Sequence, residues 1–141
     1  MALRVVVAVA LFAVLAGLAW WLERRRWHDP PTQTPGVAPA QLDRGDFDRP
    51  ETAWLVVLFT SSTCDSCAGL YDKAAALASD DVAVTEVEYF EHPEIHERYG
   101  VDAAPLTLIA DAAGVVRGSF LGAFAAPELW NEVARLRAGQ A

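Results

Sequence analysis

The sequence predicts one α/β domain, a sandwich around a central mixed sheet, preceded by a single N-terminal transmembrane helix. Three observations predict it. Residues 5–22 form an uninterrupted 18-residue apolar run. Apolar stretches of strand length and amphipathic stretches of helix length then alternate over residues 42–141. The only two cysteines, Cys64 and Cys67, fall where the first apolar strand gives way to a helix. About 100 residues is a normal size for one hydrophobic core.

At about 1.5 Å per residue the N-terminal run reaches roughly 27 Å, close to the hydrocarbon thickness of a bilayer. Trp20 and Trp21 lie at its end and Arg24, Arg25 and Arg26 follow, an interfacial belt and a stop signal. No small-x-small cleavage site follows, which favours a retained anchor over a cleaved signal peptide. Residues 1–27 are therefore the expected anchor. Arg4 alone precedes the span and three arginines follow it, so the positive-inside rule favours an outside N-terminus and a cytoplasmic domain in a single-pass cell-membrane protein. The extracytoplasmic alternative would keep a cysteine pair oxidised. Residues 28–41 carry four prolines (Pro30, Pro31, Pro35 and Pro39) and form an extended, semi-rigid linker.

Within the domain, residues 41–53 are weakly patterned, with a short strand or helical turn near Asp46 and Phe47. Residues 54–60 are apolar on both faces, as a central strand with helices on both sides requires. Residues 68–79 form a helix with Leu70, Tyr71, Ala74 and Leu77 on its inner stripe. Residues 82–90 are β-rich; Pro93 then opens a short helix that Gly100 closes. Residues 106–110 and 115–120 pair as a hairpin through Asp111-Ala-Ala-Gly114. Pro127 opens a last helix to about residue 137, with Leu129, Val133 and Leu136 inward.

From Pro31 onward there are 7 basic against 17 acidic residues, a net of −10. Such a domain repels phosphates, which excludes nucleic acid as a partner, and the scattered charges read as a solubilising surface. No Gly-rich phosphate loop or Rossmann fingerprint is present, so no organic cofactor is expected.

A Cys-x-x-Cys at a strand-to-helix junction, with no third cysteine to pair with, is a redox layout. Unpaired N–H groups at a helix start favour a thiolate, and a second thiol one turn away can resolve a mixed disulfide. A zinc site is the rival: Cys64 and Cys67 with His92 and His96 supply accepted ligand types. The 24-residue gap between the pairs is long for a finger, and the histidines read as exposed helix-end residues; no metal is expected.

The element order, with Cys-x-x-Cys after the first central strand, resembles the thioredoxin-like family across about residues 42–139. Pro105 immediately precedes a strand, as that family's cis-proline does, and Tyr99-Gly100-Val101 resembles its usual lead-in. Gly114 in the hairpin turn and Gly122 before the last helix fit the same pattern. The resemblance implies that Cys64 is the exposed attacking thiolate and Cys67 the resolving thiol. It implies that Pro105, in cis, faces the sulfurs, excludes metal and presents the backbone of Ala104 to an extended substrate segment by strand addition. Thr63 occupies the substrate-facing position before the first cysteine.

The departures are specific. The family carries tryptophan where Thr63 stands, and a Gly-Pro dipeptide where Asp65 and Ser66 stand. Asp65 opposes a Cys64 thiolate, whereas the freed Ser66 N–H can bond a sulfur. Leu58 occupies the place of the family's buried aspartate. Counting back from Pro93 puts Glu86 beside it: either a buried proton relay under the disulfide, its charged form disfavoured, or an exposed strand-edge residue. The expected function is a membrane-tethered thiol–disulfide oxidoreductase acting on protein disulfides, recycled by an external reductant and monomeric. The alternative is a non-catalytic partner-binding or assembly module at the membrane.

Overall fold

The computed structural model describes residues 14–17 and 38–139. The chain divides into two units, Met1–Thr32 and Gln33–Ala141. In the first, residues 14–17 are helical. Among the described residues no helix is long and apolar enough to cross a membrane; most of the expected span, residues 5–22, lies outside them.

The second unit runs β1 (Trp54–Thr60), a 3-10 turn (Asp65–Cys67), α1 (Leu70–Ala75), β2 (Val82–Glu88), α2 (Pro93–Tyr99), β3 (Leu106–Asp111), β4 (Val116–Leu121) and α3 (Ala126–Ala138). The sheet order is β2-β1-β3-β4, with β1 and β2 parallel and the other pairs antiparallel. Every residue of β1 is buried. Its period of two splits the core. Leu55, Val57 and Phe59 pack with Leu42, Phe47, Val87 and Leu108 on the face that carries Ile95 and Tyr99 of α2. Trp54, Val56 and Leu58 pack on the opposite face with Leu70 and Ala74 of α1 and Leu129 and Val133 of α3. Burying such side chains stabilises the fold by about 1.5–3 kcal/mol each.

Two elements differ from expectation. The helix expected over residues 68–79 is a 3-10 turn and a six-residue α1, separated by Gly69 at φ +71°. That left-handed conformation suits glycine and interrupts the helical ladder. Tyr71 consequently points outward, while Leu70 and Ala74 stay buried. Finally, β2 ends at Glu88 instead of continuing to Phe90, because the Glu88 carboxylate takes the N–H groups of Phe90 and Glu91 and turns the chain.

The β3–β4 turn anchors the start of the domain. Gln41 bridges Val115, and Leu42 N–H donates to Gly114 O at 2.8 Å. A Cβ on Gly114, itself at φ +79°, would overlap the Leu42 carbonyl. Asp111 organises the turn: Oδ1 accepts from Ala113 and Val115 N–H at 3.0 Å, and Oδ2 pairs with Arg117 at 2.7 Å. Burial pushes its carboxyl upward, but Arg117 and those N–H donors outweigh it and hold it below the usual carboxylate range. A depressed folded pKa stabilises above the unfolded value, about 3.9, and that stability is lost as pH falls through the folded value. Urea midpoints should therefore be flat from pH 7 to about 5 and drop below about 4. Asp111→Asn should cost about 1–2 kcal/mol at pH 7 and flatten that acid limb.

Candidate active site

Beyond β1 the chain enters an exposed loop, Ser61 to Thr63, and reaches Cys64, which caps the 3-10 turn that ends at Cys67. Cys64 and Cys67 form a disulfide with their Cα atoms 5.4 Å apart. Their exposures are unequal: Cys64 is half-buried and Cys67 is 8% exposed. Cys64 N–H donates to Ser61 O at 3.0 Å, and Cys67 N–H to Cys64 O at 3.1 Å. Ser66 Oγ lies 3.4 Å from Cys64 Sγ. A disulfide sulfur has no proton, so the hydroxyl is the donor, already placed for a thiolate. It is Ser66 Oγ, not the expected Ser66 N–H, that meets the sulfur. Since the helix breaks at Gly69, the dipole behind Cys64 is that of one 3-10 turn, and this hydroxyl is the local donor that remains.

Both cysteines line a cleft of about 370 Å³, together with Thr60, Asp72, Glu86 and Glu88. Glu86 stands opposite Leu58 across the β1–β2 ladder, and Thr60 Oγ1 donates to its Oε1 at 2.8 Å. It is exposed, as the strand-edge reading of the sequence has it and not the buried one. The reason is topological: among the described residues β2 is an edge strand, and its last residues open to solvent. The Ala104–Pro105 bond is cis, with Ala104 exposed and Pro105 buried. Pairing of Phe59 with Leu106 puts that bond at the end of β1 that leads toward Cys64. Neither residue lines the cleft, and Thr63 sits exposed beside it.

No protein-family model and no curated protein matches the sequence. Solved structures do. The germline-specific thioredoxin Deadhead of Drosophila melanogaster superposes with a TM-score of 0.53 at 24% identity, covering 62% of this chain and 84% of that one. Fasciola hepatica thioredoxin gives 0.52 at 24%, covering 62% and 85%. Oxidised mitochondrial thioredoxin 3 of Saccharomyces cerevisiae gives 0.51 at 23%, covering 60% and 80%. The chain has the thioredoxin fold.

On this thioredoxin fold the central strand presents leucine, not a carboxylate, at position 58. Glu86, Leu58, Thr107 and Phe120 form one row across the four strands. Leu58 is fully buried, and Thr107 Oγ1 is buried without a hydrogen-bond partner. Among the described residues, His92 and His96 form no metal-binding group with the cysteines. His96, expected to be exposed, is 3% exposed, with Nε2 3.0 Å from Val87 O and its ring edge-on to Phe59. His92 is exposed, 3.5 Å from Glu94.

Sequence reasoning missed Glu88. Partial burial pulls its carboxyl upward, and the N–H groups of Ser62, Glu91 and Phe90 outweigh that and hold it below the usual carboxylate range. Nothing in the spacing points to it, because its partners are backbone groups in two separate loops.

Proposed function

We propose that this protein is a membrane-tethered thiol–disulfide oxidoreductase working through the Cys64–Cys67 pair. The observation that carries the reading is a disulfide of two unequally exposed cysteines in an open cleft of a thioredoxin fold. In the reduced protein, Cys64 thiolate attacks a client disulfide. One client sulfur departs as a thiolate and a Cys64–client bond forms. Cys67 then attacks Cys64 Sγ, releasing the second client thiolate and closing the Cys64–Cys67 bond. The client gains the two electrons that the pair loses, and an external thiol or reductase restores the dithiol.

Glu86 shares the cleft with both sulfurs and serves as proton acceptor for Cys67, from an exposed position, in place of the carboxylate that Leu58 displaces. Ala104 and Pro105 offer backbone to an extended client segment, with Thr63 alongside. Residues 1–27 anchor the domain, residues 28–41 hold it off the bilayer, and the arginines after the span favour the cytoplasmic side. Anchoring raises the effective concentration of the pair toward membrane-bound clients. The protein acts as a monomer.

The test is insulin reduction by the full-length chain with dithiothreitol as electron source. Reduction well above dithiothreitol alone is expected, with a pH profile that Glu86→Gln shifts. An unchanged profile overturns the role of Glu86. A rate equal to that of the Cys64→Ser/Cys67→Ser protein overturns the enzyme reading and leaves the binding module.

A further inference from the structure

The two carboxylate oxygens of Glu88 serve different loops. Oε1 accepts Ser62 N–H at 2.7 Å, on the loop that delivers Cys64. Oε2 accepts Phe90 N–H at 2.7 Å and Glu91 N–H at 3.0 Å, on the loop that leaves β2. Among the described residues, the other hydrogen bonds of residues 61–64 stay within residues 61–67. The Ser62–Glu88 bond is thus what ties this exposed loop to the sheet beyond its own ends.

We propose that Glu88 is a positioning residue for thiol–disulfide exchange: it holds the loop of the attacking cysteine in one geometry through the redox cycle. The proposal rests on the exchange reading above. In the step concerned, Cys67 thiolate attacks Cys64 Sγ, the Cys64–client bond breaks, the Cys64–Cys67 bond forms, and the client leaves as a thiolate that takes a proton from water. Position governs this step, because the effective concentration of one sulfur at the other sets how readily the ring closes. A loop released from Glu88 gains freedom in the dithiol state that disulfide closure must remove. Closure then becomes less favourable and the couple less reducing.

Two substitutions separate position from charge. Glutamine has one acceptor oxygen, so Glu88→Gln can hold only one loop and turns an NH2 against the other. Glu88→Asp keeps the charge but is one methylene too short to span both loops. With the full-length chain equilibrated against glutathione, each is expected to lower the equilibrium constant for forming the Cys64–Cys67 disulfide about tenfold, or about 30 mV for a two-electron couple. Asp111→Asn, which loosens the hairpin turn instead, should leave that constant within about threefold, a shift under 15 mV. The proposal is overturned if Glu88→Asp keeps the wild-type constant, if neither variant shifts it, or if Asp111→Asn shifts it equally. The constant can be read whether or not the wild-type protein reduces insulin. An inert wild type therefore sinks the exchange reading, and an unshifted constant in an active protein sinks only the role of Glu88.

Discussion

Cys64→Ser is expected to abolish insulin reduction, leaving the rate of dithiothreitol alone, whereas Cys67→Ser should stop the reaction half-way. The asymmetry follows from exposure. Cys64 is half-buried at the mouth of the cleft and can meet a client sulfur, while Cys67 is 8% exposed. A serine at position 64 removes the nucleophile altogether, because an alkoxide is inaccessible at neutral pH. A serine at position 67 leaves the first attack intact and removes only the group that resolves it. Client proteins should then accumulate as adducts on Cys64, visible as bands on a non-reducing gel that collapse with dithiothreitol. Equal trapping by Cys64→Ser and Cys67→Ser would mean that the assignment of attacking and resolving sulfurs is wrong.

Leu58→Asp should produce the largest loss of stability. Leu58 is fully buried among Leu70, Ile109, Phe124 and Leu129. A carboxylate there would face the Thr107 hydroxyl as a donor, since Thr107 stands opposite and Oγ1 is unpartnered. One hydroxyl is too little for a buried charge, so the cost should be about 3–5 kcal/mol at pH 8. That is a large share of the 5–15 kcal/mol typical of a whole domain. Burial raises the folded pKa of such an aspartate above its unfolded value, so the native state binds the proton more tightly. Stability relative to wild type should therefore recover as pH falls from 8 to 5, a window clear of the Asp111 transition. Urea midpoints at the two pH values check this. A gap that does not narrow in acid would mean that water reaches position 58.

The sheet was legible in the sequence where burial is two-sided. Residues 54–60 are a nearly continuous apolar run because both faces of that strand are covered, and such a pattern has few other solutions. The cysteine pair was legible from its spacing and its place after β1. Gly69 was not, since a glycine inside a helical pattern gives no sign of whether it will adopt positive φ. Glu86 was placed correctly opposite Leu58, but its exposure depends on β2 lying at an edge, a long-range fact. His96 has the composition of a surface residue; its burial is set by the carbonyls of Val87 and Val101, which local periodicity does not report. Glu88 escaped notice for the same reason.

The bridge from Gln41 to Val115 and the bond from Leu42 to Gly114 fasten the polypeptide at the Trp54 end of the sheet, while the sulfurs lie past its Thr60 end. Seven residues of extended backbone separate the two poles, about 20 Å. If residues 28–41 tether the domain as proposed above, any pull on them is borne by the hairpin and the base of the central strand, and the reactive rim is spared that load. A client can be gripped and let go at one end while the mooring strains at the other.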